Sequence, residues 1–227
     1  YFCGFKVDSG EYKLMGLAPY GAPVYADKIL SELIDIKPDG SFRLDWTKFE
    51  FVKGEVMTGP AFEGLFDGPA RQAEAPLTER EFNLAASVQK VTEIAVARLA
   101  ASAARLTGER NLCMAGGVAL NCVANRRLVE EAGFDRVWVP PCASDTGAPL
   151  GSALWHQHQT LGLPRVETMT HAYYGLAYGD DEIRPALEAA GLDYDELDEA
   201  EVIDRGGATV VSVSEKTLDA APPAEDA

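Results

Sequence analysis

The 227-residue sequence lacks an excess of basic residues, and this absence excludes one class of function. It contains 20 Lys and Arg against 36 Asp and Glu, which gives a formal net charge of −16. Non-specific binding to a nucleic acid backbone requires a basic stripe that neutralises phosphates. We therefore expect no nucleic acid among the partners. The acidic excess is concentrated beyond residue 175, where 15 acidic residues stand against 3 basic ones.

Long apolar runs, paired cysteines and hydrolase motifs are also missing. No apolar run reaches the roughly 18 residues of a membrane span, and no signal peptide is recognisable. The four cysteines form no CxxC pair, so neither a zinc nor a redox motif is indicated. HExxH, GxSxG and P-loop motifs do not occur, which leaves a Ser-His-Asp hydrolase unsupported. We expect a cytoplasmic protein without membrane contact.

What is present is ordinary for a globular protein. The hydrophobic fraction is 47% and the charged fraction 25%, and the length suits one large domain, or one domain and a fragment. Because the chain begins with Tyr1 rather than Met, we expect a processed product or a piece of a longer protein.

The first hundred residues predict short elements followed by one long helix. Turn residues and local patterning predict a strand at 1–7, helices at 11–17 and 26–33, a hairpin at 36–44 with Asp39-Gly40 at its tip, and a loop at 57–76. Thr78 and Glu81 have the spacing of a capping box. An apolar stripe at helical spacing follows and ends at Gly108, which is typical of a core helix.

The next segment alternates strands and helices. It predicts a strand at 111–114, a turn at 115–117, a helix at 118–132, a strand at 137–139, a loop at 140–147 and a helix at 148–161. This order predicts an α/β domain in which helices pack on a sheet. Beyond it we expect an aromatic loop at 173–175, a helix at 181–190, a strand at 208–213 and disorder at 219–227.

Three segments could carry chemistry. Gly116 and Gly117, between a strand and a helix, would let the backbone approach an anion, and Asn121 could bond a ribose, phosphate or base; the alternative is a plain tight turn. Asp145 follows the next strand, where it could bind a metal, act as a base or cap a helix. Glu11 and Lys13 could form a surface ion pair.

Together these segments resemble a known family. The blocks EYKLMGLAPYG, LAASVQKVTEIAVARL, NLCMAGGVALNCVANRRL and VWVPPCASDTGAPLGSAL are similar, in this order, to the O-carbamoyltransferases of nodulation-factor and antibiotic biosynthesis, often called the NodU/CmcH family. The resemblance covers residues 1–192, and the AGGVALN and ASDTG blocks are its most specific parts.

The resemblance implies an actin-like, sugar-kinase-like (ASKHA) domain joined to a YrdC-like domain. Such enzymes make carbamoyl adenylate from carbamoyl phosphate and ATP. They then pass the carbamoyl group to the hydroxyl of a small-molecule acceptor, with a divalent metal, iron in known relatives. Residues 1–175 would be the C-terminal part of the actin-like domain, 176–205 an acidic linker towards the YrdC-like domain, and 206–227 a divergent tail.

The resemblance also implies roles for single residues. Gly116, Gly117 and Asn121 match the adenylate-binding turn, and Asp145 matches the metal-ligating aspartate. The wall of the nucleotide pocket would include Gly21, Glu11 and Lys13.

The sequence departs from the family at the GDAG motif, where Ser144-Asp145-Thr146-Gly147 keeps the aspartate, and at the metal motif. The HxxxH metal motif should precede a segment like residues 1–21, but all three histidines lie downstream. One carboxylate cannot hold a catalytic metal alone, so we expect little or no activity from this chain by itself. Two alternatives stay open: an inactive split subunit or remnant that binds nucleotide or a partner, and another actin-like transferase, either a kinase or a threonylcarbamoyl transferase.

Overall fold

A computed structural model describes residues 1–52, 54–165, 169 and 175–195. The chain divides into two units, Tyr1–Ala172 and Tyr173–Ala227. The helices of the first unit are α1 (Glu11–Leu17), α2 (Ala26–Glu32), α3 (Pro60–Leu65), α4 (Glu79–Thr107), α5 (Cys122–Glu131) and α6 (Ala148–Trp155). Its strands are β1 (Ile34–Ile36), β2 (Phe42–Leu44), β3 (Asn111–Cys113) and β4 (Arg136–Trp138).

The long helix α4 is the element on which the first unit is built. Thr78 donates its N–H and hydroxyl to the Glu81 carboxylate at 3.0 and 2.6 Å, and Gly108 ends the helix with φ +72°. The predicted capping box and C-terminus are therefore confirmed. Helices α1, α2 and α5 all pack against α4, so its apolar stripe is shared between two cores.

The predicted hairpin is confirmed, with a longer tip. Strands β1 and β2 pair antiparallel, with Ile34 opposite Leu44. Only Gly40 of the predicted Asp39-Gly40 pair has a positive φ, +84°, so the tip is not the type I′ turn that this dipeptide favours. A Cβ at Gly40 would lie 2.3 Å from the backbone nitrogen of Leu99, which shows that the tip lies against α4.

Predictions for two N-terminal segments are wrong. Residues 1–7 form turns instead of a strand, because the left-handed conformation of Gly4, with φ +77°, does not continue an extended chain. Phe2 and Cys3 before it are buried in the core. The predicted loop at 57–76 contains α3, which starts at Pro60. The ring of Phe62 in this helix packs 5.0 Å from that of Phe2, so tertiary packing stabilises a helix that the Gly- and Pro-rich sequence concealed.

The second half of the unit is a strand–helix–strand motif. Strands β3 and β4 run parallel, with Leu112 opposite Val137. Both side chains pack in a core formed by Ala100, Leu128 and Phe134. The predicted helix at 118–132 is interrupted: a 3-10 turn spans Gly117–Leu120, and α5 starts only after an extended residue, Asn121.

The α/β fold class is confirmed. In the second unit, α7 (Asp180–Ala189) matches the helix predicted at 181–190. The predictions for residues 173–174, 208–213 and 219–227 lie outside the described residues. Among the residues that are described, no helix combines the length and the apolar character required to cross a bilayer.

Candidate functional site

The loops that follow β3 and β4 meet at one edge of the parallel pair. The N–H of Gly116 donates to the carbonyl of Ala143 at 2.6 Å, and the N–H of Met114 donates to the carbonyl of Trp138 at 3.0 Å. Because the carboxyl ends of parallel strands share an edge, these contacts bring together the AGG and ASDTG segments. Gly116 and Asp145 line one cavity of about 430 Å³.

The glycine turn lies in open space and contains two backbone N–H groups without a partner among the described residues. Gly116 has φ +100°, a conformation that favours glycine, and no atom lies within 4 Å of a Cβ built on Gly116 or Gly117. The N–H groups of Gly117 and Val118 form no hydrogen bond within the described part of the chain. Two such neighbouring donors can bind a phosphate or carboxylate oxygen.

Asn121 lies beside this turn as a structural residue of the α5 terminus. Its side-chain oxygen accepts from the N–H of Ala124 at 3.0 Å and from Gln89 Nε2 at 3.1 Å. Its Nδ2 donates to Gln89 Oε1 at 2.8 Å. The side chain thus caps α5 and joins it to α4.

Asp145 starts a 3-10 turn, Asp145–Gly147, that leads into α6. The residue is exposed, and its carboxylate has no hydrogen bond or ion pair to any described residue. Gly147 is required by close packing, because a Cβ there would lie 2.1 Å from the carbonyl oxygen of Cys142. The loop therefore presents Asp145 at the cavity with its oxygens available.

The described residues do not fit a metal centre by themselves. They contain no group of three or more His, Cys, Asp or Glu side chains placed to hold an ion. Divalent metals in proteins need several such ligands. Asp145 can therefore supply one ligand at most.

The remaining predicted residues lie elsewhere in the first unit. Glu11 accepts a hydrogen bond from the N–H of Asp8 at 3.0 Å and lines a different cavity. Lys13 is exposed, and within the described ranges it forms no ion pair with Glu11. Gly21 packs on α4, where a Cβ would come within 2.0 Å of the carbonyl oxygen of Phe82. The structure does not bring these three residues to the Gly116–Asp145 cavity.

A polar network beneath the turn was missed by sequence reasoning. Gln89 donates to Glu93 at 2.9 Å, and Glu93 accepts from Arg127 of α5 at 2.8 Å. Hydrogen bonds from Arg127 to Glu131, and then to Glu93, raise the pKa of the guanidinium despite its partial burial. The available signal was the polar pair Gln89 and Glu93, four residues apart beside an apolar stripe.

Comparison with known proteins identifies the family. The sequence profile described as carbamoyltransferase N-terminus matches residues 1–154. The chain is 47% identical over 196 residues to the uncharacterized protein sll1178 of Synechocystis sp., covering 85% of this chain and 32% of that protein. It is 32% identical over 173 residues to the nodulation protein NolO of Bradyrhizobium diazoefficiens, covering 76% and 29% respectively.

A relative that is named as an O-carbamoyltransferase also matches. The 3'-hydroxymethylcephem-O-carbamoyltransferase of Amycolatopsis lactamdurans is 28% identical over 190 residues, which is 82% of this chain and 32% of that enzyme. The chain spans about a third of the length of these curated relatives. On the profile match and the similarity to NolO, this chain belongs to the carbamoyltransferase family, in the region described as the carbamoyltransferase N-terminus.

Proposed function

We propose that this chain forms part of an O-carbamoyltransferase and binds the adenylate portion of carbamoyl adenylate. That intermediate would be made from carbamoyl phosphate and ATP, and its carbamoyl group would pass to the hydroxyl of a small-molecule acceptor. The observation that carries the proposal is the shared cavity of Gly116 and Asp145. These residues come from the two sequence blocks on which the resemblance to the family chiefly depends.

An actin-like fold for the complete domain is part of this proposal. It is supported by the parallel pair β3–β4, the intervening helix α5 and the packing of α5 on α4. Parallel sheets are ordinarily covered on both faces. Here Leu112 and Val137 are packed, while Cys113 and Trp138 on the opposite face are exposed. A two-stranded parallel pair with one uncovered face fits part of a larger α/β domain in which another layer covers that face.

The glycine turn would act on the phosphate of the adenylate. In carbamoyl transfer, the acceptor oxygen forms a bond to the carbamoyl carbon, the bond from that carbon to the phosphate oxygen breaks, and AMP leaves. The hydroxyl proton passes to a base or to water. The Gly117 and Val118 N–H groups, which directly follow the cavity-lining Gly116 in the chain, would hold the phosphate and stabilise the negative charge that AMP gains on leaving. This role uses backbone donors and requires no side chain at Gly116 or Gly117.

The same site explains why we expect the isolated 227-residue chain to be inactive. Its described residues offer Asp145 but no further ligands grouped for a metal. In this proposed role the chain binds the nucleotide, and the remaining metal ligands would come from another part of a complete enzyme. Carbamoyl transfer by the purified chain alone, measured with carbamoyl phosphate, ATP and an acceptor, would contradict this assignment.

Calorimetric titration with AMP tests the nucleotide site directly. We expect saturable binding that Gly117→Ala weakens about tenfold, because the new methyl group keeps a phosphate oxygen from a charge-assisted hydrogen bond. Gly16→Ala is the matched control: it also adds a methyl group in open space, but on α1 away from the cavity. Absence of AMP binding, or equal affinity in the two variants, would refute the site.

A further inference from the structure

The 3-10 turn Gly117–Leu120, which contains the N–H groups that we propose bind phosphate, has few hydrogen bonds of its own. Two backbone bonds, donated by the N–H groups of Ala119 and Asn121, close the turn on itself. Gly116 and Gly117 lie in open space, and glycine restricts the backbone less than any other residue. These two bonds alone therefore do not fix the direction in which the turn points.

The side chain of Asn125 on α5 supplies a further contact to this turn. Its Nδ2 donates to the carbonyl oxygen of Ala119 at 2.7 Å. In a continuous helix the N–H of Val123 would donate to that carbonyl, but the extended backbone of Asn121 interrupts the helix. No backbone N–H of the described residues donates to it instead, so the Asn125 amide replaces the missing helical donor.

The amide of Asn125 also carries a cost that packing does not explain. Its Oδ1 is buried and has no hydrogen-bond partner among the residues that the structure describes. A buried oxygen without a partner destabilises a fold, and a leucine of similar size would avoid that cost. Turning the amide over would place Oδ1 against the carbonyl oxygen of Ala119, where two acceptors repel each other. Departures from local rules of this kind are expected at functional sites.

This contact lies at the end of the turn opposite to the phosphate donors. In a helical turn the carbonyl groups point towards the C-terminal end and the N–H groups towards the N-terminal end. Asn125 joins the carbonyl end to α5, which is anchored in the core by the fully buried Leu128. The N–H groups of Gly117 and Val118 are at the other end, directly after the cavity-lining Gly116. Holding the carbonyl end therefore also fixes the direction of these donors.

We propose that Asn125 is a positioning residue for the nucleotide phosphate: by holding the carbonyl of Ala119, it orients the N–H groups of Gly117 and Val118 before the ligand binds. This role rests on the proposed nucleotide site. Donors that are already oriented bind an anion without the ordering cost that a mobile loop has to meet. Loss of the amide should therefore weaken the contact with the phosphate and leave contacts with the base and the sugar in place.

Calorimetric titrations with AMP and with adenosine, at equal ionic strength, test this role. Asn125→Leu keeps the size of the side chain but has no donor, so it should weaken AMP binding about fivefold and leave adenosine binding unchanged. Its melting temperature should stay close to that of the parent chain, because the lost hydrogen bond is offset by removal of the unpartnered oxygen. Asn125→Ala, with the best helix former, should show the same loss of AMP affinity and serves if the leucine variant does not fold.

A control variant and a spectroscopic measurement separate positioning from general stability. Leu128→Val shortens a buried side chain of the same helix without removing a hydrogen bond of the turn, so it should keep the AMP affinity of the parent chain. NMR relaxation of the amide nitrogens of Gly117 and Val118 should show increased mobility on the picosecond to nanosecond scale in Asn125→Leu and not in Leu128→Val.

Three results would overturn the positioning role and leave the nucleotide site intact. They are an AMP affinity that neither Asn125 variant changes, an equal loss of affinity for AMP and adenosine, and a loss in Leu128→Val as large as that in Asn125→Leu. Absence of AMP binding by the parent chain would instead refute the nucleotide site, and this role with it.

Discussion

Replacing Asn121 with alanine should destabilise the first unit by about 3 kcal/mol. Loss of the N-cap bond to Ala124 costs about 1 kcal/mol. The paired hydrogen bonds with Gln89 contribute about 1 kcal/mol each when they are removed together. Since all three bonds belong to one half-buried amide, the single substitution removes them at once.

Urea denaturation followed by circular dichroism measures this effect, and two further variants divide it. Asn121→Ser retains a capping oxygen but cannot reach Gln89, so it should lose about 2 kcal/mol. Gln89→Ala leaves the cap and removes the same pair of bonds. Because the two residues act through one contact, the Asn121→Ala and Gln89→Ala double variant should be less destabilised than the sum of the single variants, by about 1 to 2 kcal/mol.

A change of less than about 0.5 kcal/mol in the free energy of unfolding of Asn121→Ala would refute these hydrogen-bond roles, because it lies within the range of ordinary surface substitutions. Strict additivity in the double variant would refute the pairing with Gln89 even if the capping effect were present. Both outcomes can be read from the same denaturation curves.

Two further predictions concern α4 and its N-terminal contacts. Burial raises the pKa of Glu81, but the hydrogen bonds from Thr78 and Arg80 outweigh it and hold the pKa below its usual 4.5. The Glu81 carboxylate therefore stabilises the folded state above pH 4.5, and this contribution is lost as the pH falls through the lowered pKa. The free energy of unfolding in urea should accordingly depend less on pH in Glu81→Gln than in the parent chain. Gly21→Ala should destabilise the fold by about 2 kcal/mol and lower the melting temperature, because the added Cβ would lie 2.0 Å from the Phe82 backbone. Gly16→Ala, which adds a methyl group in open space on a helix, should raise the melting temperature slightly. Equal melting temperatures of the two variants would contradict the close approach of Gly21 to Phe82.

The sequence alone determined those elements whose ends are set by neighbouring residues in the chain. The capping box of Thr78 and Glu81 and the left-handed Gly108 define the ends of α4 from adjacent residues. The alternation of strand and helix likewise places Gly116 and Asp145 after successive strands. Parallel neighbouring strands end at one edge of a sheet, so the observed pairing of β3 and β4 brings the two residues to one cavity.

Only the tertiary structure decided which residues share a cavity and which side chains are already engaged. Asn121 is bonded to Gln89, 32 positions away, and Gly21 is packed against Phe82 rather than placed at the candidate site. A cavity of about 280 Å³ in the N-terminal core joins side chains from the N-terminal turns, α3 and α4, with Thr58 in its wall. Such contacts depend on how distant segments pack against one another. Hydrophobic burial is non-directional, and close packing depends on the shapes of the side chains that meet in space, so no periodicity or motif in the sequence predicts these contacts.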